Sequence, residues 1–184
     1  MRTRRIQQFL GLVLGVLIVS ASAQAAGKGQ SKIDFQFKTG DAASSRLFIK
    51  RMVDQAVINQ IPEVGSKSKN DNLAGQTITL QLGSDSASAI SGVADDKGKV
   101  TTPFDFKITG NGKGLQLKAN GLDLATLLGI TQTADGEYKV DVLVKITASR
   151  TDAATNSTTI VELANSTVKF EYKIKNGAVK GRGF

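Results

Sequence analysis

The chain contains no histidine and no cysteine. Ser-His-Asp and Cys-His nucleophile systems, the usual general base at neutral pH, and the common zinc and copper ligand sets are therefore unavailable. Tryptophan is absent and tyrosine occurs only twice, so no aromatic platform for stacking sugars or bases is expected. Without cysteine no disulfide can support the fold, and stability has to come from buried apolar area. The catalytic chemistry that remains is that of carboxylates, or of serine with lysine. No cofactor and no metal are expected.

Long apolar runs are also missing, with one exception at the N-terminus. Residues 1–8 carry Arg2, Arg4 and Arg5 and no acid, residues 9–19 are apolar apart from Gly11 and Gly15, and residues 20–26 are small apart from Gln24. Basic, apolar and small segments in that order make a secretory signal peptide. The apolar run is shorter than the roughly 20 residues a membrane span requires. Cleavage after Ala23 or Ala25 fits the small-residue rule. Arg4-Arg5 is followed by Ile6-Gln7-Gln8-Phe9, which places the aromatic late for a twin-arginine signal and favours ordinary secretion. No cysteine follows the run, which argues against a lipid anchor there. The sequence thus reads as a signal peptide over 1–25, a disordered leader over 26–31, and a secreted or periplasmic chain with no membrane span after signal removal.

The formal net charge is +8, and the signal supplies three arginines and no acid, leaving 8 − 3 = +5. That excess is spread along the chain without a clustered stripe, which reads as solvated sheet faces and not as a nucleic-acid footprint. Export of a cysteine-free chain points to a bacterial envelope or extracellular setting.

Period-two alternation dominates the remainder. Tyr138, Val140, Val142, Val144, Ile146 and Ala148 share one parity; Lys139, Asp141, Lys145 and Thr147 share the other, with Leu143 the apolar exception. Successive side chains on a strand point to opposite faces, so this is a strand with one face in a core and one in water. Val142 and Val144 should be buried and Lys145 should face water. Val168, Phe170, Tyr172 and Ile174 repeat the pattern, as do Ile33, Phe35 and Phe37, then Ile78, Leu80 and Leu82, then Phe104, Phe106 and Ile108, then Leu115, Leu117 and Ala119. Phe106 and Phe170 are expected in the core. Turn chemistry separates them at Thr39-Gly40-Asp41, Asp95-Asp96-Lys97-Gly98, Asn111-Gly112 and Asp135-Gly136. Leu124, Leu127 and Leu128 have helical spacing, with Asp123 as cap and Gly129 as stop, and predict a short helix plugging one end of the core. Residues 45–53 fit a strand if Arg51 faces inward or lies at an edge; Ile49, Val53, Ala56, Val57 and Ile61 also fit a helix face. The strand is chosen, although it implies a long unstructured connection to Gly75. Thr159, Val161 and Leu163 share odd parity whereas Val168 to Ile174 share even parity, so residues 164–167 should hold a turn or a bulge. Asn176-Gly177 is expected to end the sheet.

Eight or nine short strands with one helix predict an all-β antiparallel sandwich, immunoglobulin-like in architecture, with a small barrel as the alternative. It would form one domain over 32–177, followed by a flexible basic tail over 178–184. The candidate catalytic carboxylates Asp34, Glu63, Asp105, Glu137 and Asp141 fall on outward faces or loops, where nothing raises a pKa. Asp95-Asp96 and Asn70-Asp71-Asn72 lack the spacing of a calcium loop and read as turn chemistry. Asn156-Ser157-Thr158 and Asn165-Ser166-Thr167 match the glycosylation acceptor pattern, which Asn/Ser/Thr-rich turns also generate. The expected function is non-enzymatic: a structural, adhesive or protein-binding module, with a carboxylate-dependent or Ser/Lys hydrolase as the alternative. The partner would be a protein or envelope component. Exposed strand backbone at an edge can pair with another chain, and Ile49, Lys50 and Arg51 are the candidate edge.

Overall fold

A computed structural model describes residues 17–19, 32–53, 57, 60, 73–85, 88–109 and 114–183. The signal cleavage sites, the leader over 26–31, Glu63, Asn70-Asp71-Asn72 and the Asn111-Gly112 turn lie outside these residues. The strands are β1 (Leu17–Val19), β2 (Lys32–Lys38), β3 (Asp41–Met52), β4 (Thr77–Leu82), β5 (Ile90–Val93), β6 (Asp105–Thr109), β7 (Gly114–Asn120), β8 (Gly136–Thr151), β9 (Thr158–Lys175) and β10 (Ala178–Gly183), with helix α1 (Leu124–Leu127) before β8. Nine of the strands form one antiparallel path in the order β5-β4-β8-β9-β10-β2-β3-β7-β6, while β1 lies parallel beside β9.

The path curls until its ends approach one another. Val100 bridges Phe106 of β6, and a Cβ built on Gly92 of β5 would stand 2.4 Å from Val100 Cγ1 and 2.6 Å from the Thr102 carbonyl oxygen. One connection therefore touches both end strands. Two separate facing sheets, the expected sandwich, are not seen in this strand order; the single curled sheet is compatible with the small barrel.

The alternation of β8 and β9 is the backbone of the assembly. Val142, Val144, Ile146 and Ala148 are buried, as are Val168, Phe170, Tyr172 and Ile174, whereas Asp141, Lys169, Glu171 and Lys173 are exposed. The parity flip is a bulge within one 18-residue strand. Ile146 pairs with Ala164 but Thr147 pairs with Glu162, so Leu163 has no opposite number, and the core face passes from Leu163 to Ala164. The helix forms as expected. Asp123 accepts hydrogen bonds from Thr126 N (3.2 Å) and Thr126 Oγ1 (2.7 Å), Leu124 and Leu128 are buried, and Gly129 takes φ +65°.

The basic tail is corrected. Residues 178–183 form β10, paired with β9 on one side and β2 on the other. Asn176 (φ +51°) and Gly177 (φ +72°) do not end the sheet; they make the two-residue turn between Lys175 and Ala178, with the paired positive φ of a hairpin loop. The Asn176 amide donates to Asp135 Oδ1 at 2.9 Å, which ties this turn to the start of β8. Val179 is buried, and Gly181 and Gly183 leave room for the rings of the flanking strands. Phe35 of β2 meets Phe170 of β9 edge-on at 5.4 Å, above β10.

Candidate functional site

The residues expected at an edge lie inside the sheet. Ile49 is fully buried and pairs with Ile33 of β2 and Leu117 of β7; Lys50 pairs with Lys32 and Gln116. Hydrophobic alternation at Leu47 and Ile49 identifies the strand, but strand order depends on distant segments, and β7 takes the side that was expected to be free. Arg51 shares the inward parity of Leu47 and Ile49. Its Nη1 donates to Ser166 Oγ at 2.6 Å, across the interior to β9. Burial lowers the Arg51 pKa, and no acid among the described residues pairs with it.

The contact at Ser166 lies on a stretch of β9 that no described strand covers on one side. On one side β9 pairs with β8 over Thr158 to Ile174. On the other side β10 (Ala178–Gly183) pairs with Phe170 to Lys175. Leu17–Val19 runs parallel beside Thr159, Ile160 and Val161. Across residues 162–169 no described strand pairs on that side. Such backbone presents alternating N–H and C=O groups to any extended chain. This edge carries no proline, and its lysine, Lys169, stands at the covered end. Its guards are Glu162 and the Leu163 bulge, which twists the strand. Asn165 and Thr167 are exposed, and Ser166 is half-buried.

Glu162 is anchored within this edge. Lys145 Nζ lies 2.7 Å from Glu162 Oε1, and Asn165 Nδ2 donates to Oε2 at 3.1 Å. The bond from Lys145, aided by the Asn165 amide, holds the Glu162 carboxyl below the usual carboxylate range against the opposing effect of burial. The signal that could have located this edge is the parity flip over 164–167, since a bulged strand is where neighbouring strands part company.

The carboxylates do not converge in a dry cleft. A shallow groove of about 590 Å³ crosses β8, β9, β10 and β2 and is lined by Asp34, Glu137 and Glu171 among lysines and Arg182. Lys32 Nζ meets Asp34 at 2.9 Å, Lys139 meets Glu171 at 2.9 Å, and Lys173 meets Glu137 at 3.0 Å. The bond from Lys139 lowers the Glu171 pKa, the reverse of what a general acid needs. Asp105 and Asp141 stand exposed on strand faces. Tyr172 is buried, stacks on one face of the half-buried Tyr138 at 5.5 Å and donates its hydroxyl to Gln132 Oε1 at 2.5 Å, so Tyr172 is no open stacking surface; burial raises the Tyr172 pKa. Asp95 accepts from the amides of Lys97 and Lys99, both at 2.9 Å, which is turn chemistry. Among the described residues no group of three or more acids could hold a metal ion, and no helix is long and apolar enough to cross a membrane. Comparison with protein families, with curated proteins and with solved structures finds no match for this chain.

Proposed function

We propose that this chain is an exported, non-enzymatic β module with a structural, adhesive or protein-binding role in the bacterial envelope or outside the cell, and that it binds by strand addition along the open edge of β9. The observation that carries this reading is the length of that edge: residues 162–169 have no described strand on the side away from β8. We read the curled sheet as a small barrel whose wall, among the described residues, is incomplete beside residues 162–169 of β9. Further support comes from the inventory, which lacks histidine and cysteine, and from groove carboxylates that are exposed and bound by lysines. The N-terminal segment pattern supports export.

A photo-cross-linking side chain at Thr167, which is exposed on the edge, should capture a partner from the source envelope, and one at Asp141, exposed on β8, should not. Successive residues of an antiparallel strand direct their amides to opposite sides. Of Ser166→Pro and Thr167→Pro, one therefore removes a bond to β8 and the other an edge donor. The variant that still folds should lose the cross-linked partner. Retention of full binding by that variant excludes strand addition here.

A further inference from the structure

We propose that the outer face of β3, β7 and β6 docks on an anionic lipid surface. Arg46, Phe48 and Lys50 alternate with buried Leu47 and Ile49 on β3 and so project outward. Register aligns Phe48 with Lys118 of β7 and then Asp105 of β6; Lys50 aligns through Gln116 with Lys107. Four cations, Arg46, Lys50, Lys107 and Lys118, thus share one face, and none has an ion-pair partner among the described residues. Asp105 is the acid among them.

The β8–β9 face is built differently. There Lys139, Lys145 and Lys173 each meet a glutamate. No such glutamate stands against Arg46, Lys50, Lys107 or Lys118.

The chemistry of this face selects a diffuse anion over a defined one. Three of the four cations are lysines, which are flexible, strongly hydrated point charges without the fork that fixes a carboxylate or phosphate. They stand on different strands, with Lys50 and Lys107 about 10 Å apart across β7 at ordinary strand spacing. Such spacing matches many separate charges on a plane. At its centre the half-buried Phe48 offers an apolar contact beside Arg46, Lys50 and Lys118, with Asp34 of β2 opposite it, and an apolar residue among cations is the pairing used by proteins that lie on a bilayer surface. Each lysine or arginine near such a surface strengthens binding about fivefold. An acidic protein would need its carboxylates placed against individual lysines, and nothing on this face fixes those positions.

The test is cosedimentation of the chain lacking residues 1–25 with vesicles of phosphatidylcholine alone and of phosphatidylcholine with phosphatidylglycerol. Binding is expected to the second only, and to weaken as salt is raised. Lys50→Gln/Lys118→Gln should reduce it about 25-fold, two steps of about fivefold, with the circular dichroism of the wild type. The charge-matched control Lys139→Gln/Lys175→Gln, on β8 and β9, should change it less than about twofold, because those strands lie three or more places from β3 in the sheet. Equal binding to both vesicles overturns the proposal, and so does an equal loss in the control. Failure to bind either vesicle while heparin or a polyglutamate column retains the protein through Lys50 and Lys118 also overturns it, and assigns the face to a dissolved polyanion.

Discussion

Phe35 lies over Gly181. A Cβ built on that glycine would stand 2.5 Å from the ring Cζ of Phe35 and 2.7 Å from Cβ of Tyr172. Gly181 pairs directly with both residues, one on β2 and one on β9. The ring therefore fills the space that a side chain on β10 would take, and the glycine lets the aromatic residues of the two flanking strands meet. The weak strand preference of glycine is offset by burial of Phe35, Phe170 and Tyr172 against one another.

Gly181→Val should destabilise the domain by about 1–3 kcal/mol through overpacking. Lys180→Ala, one residue away and exposed, should stay within about 0.5 kcal/mol. Chemical denaturation midpoints measure both. A midpoint for Gly181→Val equal to that of the wild type would remove β10 from the core.

Val144→Asp should unfold the chain, since an unpaired charge would enter a fully buried site. Alternation alone makes the outward Lys145 indifferent to substitution, but its bond with Glu162 does not. Lys145→Asp deprives a largely covered carboxylate of its cation and adds a like charge beside it, at a cost of about 1–2 kcal/mol. Lys145→Gln should cost less than Lys145→Asp. Thermal melts of the three variants rank these effects.

Acid should weaken the Glu162 site. Its carboxyl is held below the usual range in the folded chain by Lys145 and Asn165. A depressed carboxylate contributes stability that is fully present above the unfolded value of about 4.3 and is lost as pH falls through the lower folded value. Wild type should therefore exceed Glu162→Gln in stability at neutral pH, with the difference shrinking below about pH 4. Urea titrations at a series of pH values follow it. A pH-independent difference would mean that packing, and not ionisation, sets the contribution of Glu162.

Ile49→Pro should abolish folding instead of blocking a partner. The substitution removes a backbone donor and a fully buried side chain from a strand paired on both sides, at about 3 kcal/mol or more. Loss of the folded circular dichroism signal is the expected result. A well-folded variant would place β3 at an edge after all.

Much of the local structure was legible in the residues. Val142, Val144, Phe170 and Ile174 carry the core face by alternation alone, because the pleat fixes side-chain direction with a period of two whatever the neighbours are. Asp123 and Gly129 bound the helix through local hydrogen bonding and a positive φ. The flip between Leu163 and Val168 requires an irregularity, which the structure resolves as a bulge at Leu163, just before the expected residues 164–167, which pair regularly with β8. Strand order was not legible. Which strand sits beside which is decided by contacts between segments far apart in the chain, and β3 is indistinguishable by its own residues from an edge strand until β7 is placed against it. The same holds for Ala178–Gly183, where glycines and basic residues hide the period of two. Asn176-Gly177 is a hairpin signal, but only the rings of Phe35 and Phe170 supply the apolar surface that its second strand lacks. Which residues of β9 the described strands leave uncovered depends on the register between β9 and β10, a relation between two strands that no single segment of sequence contains.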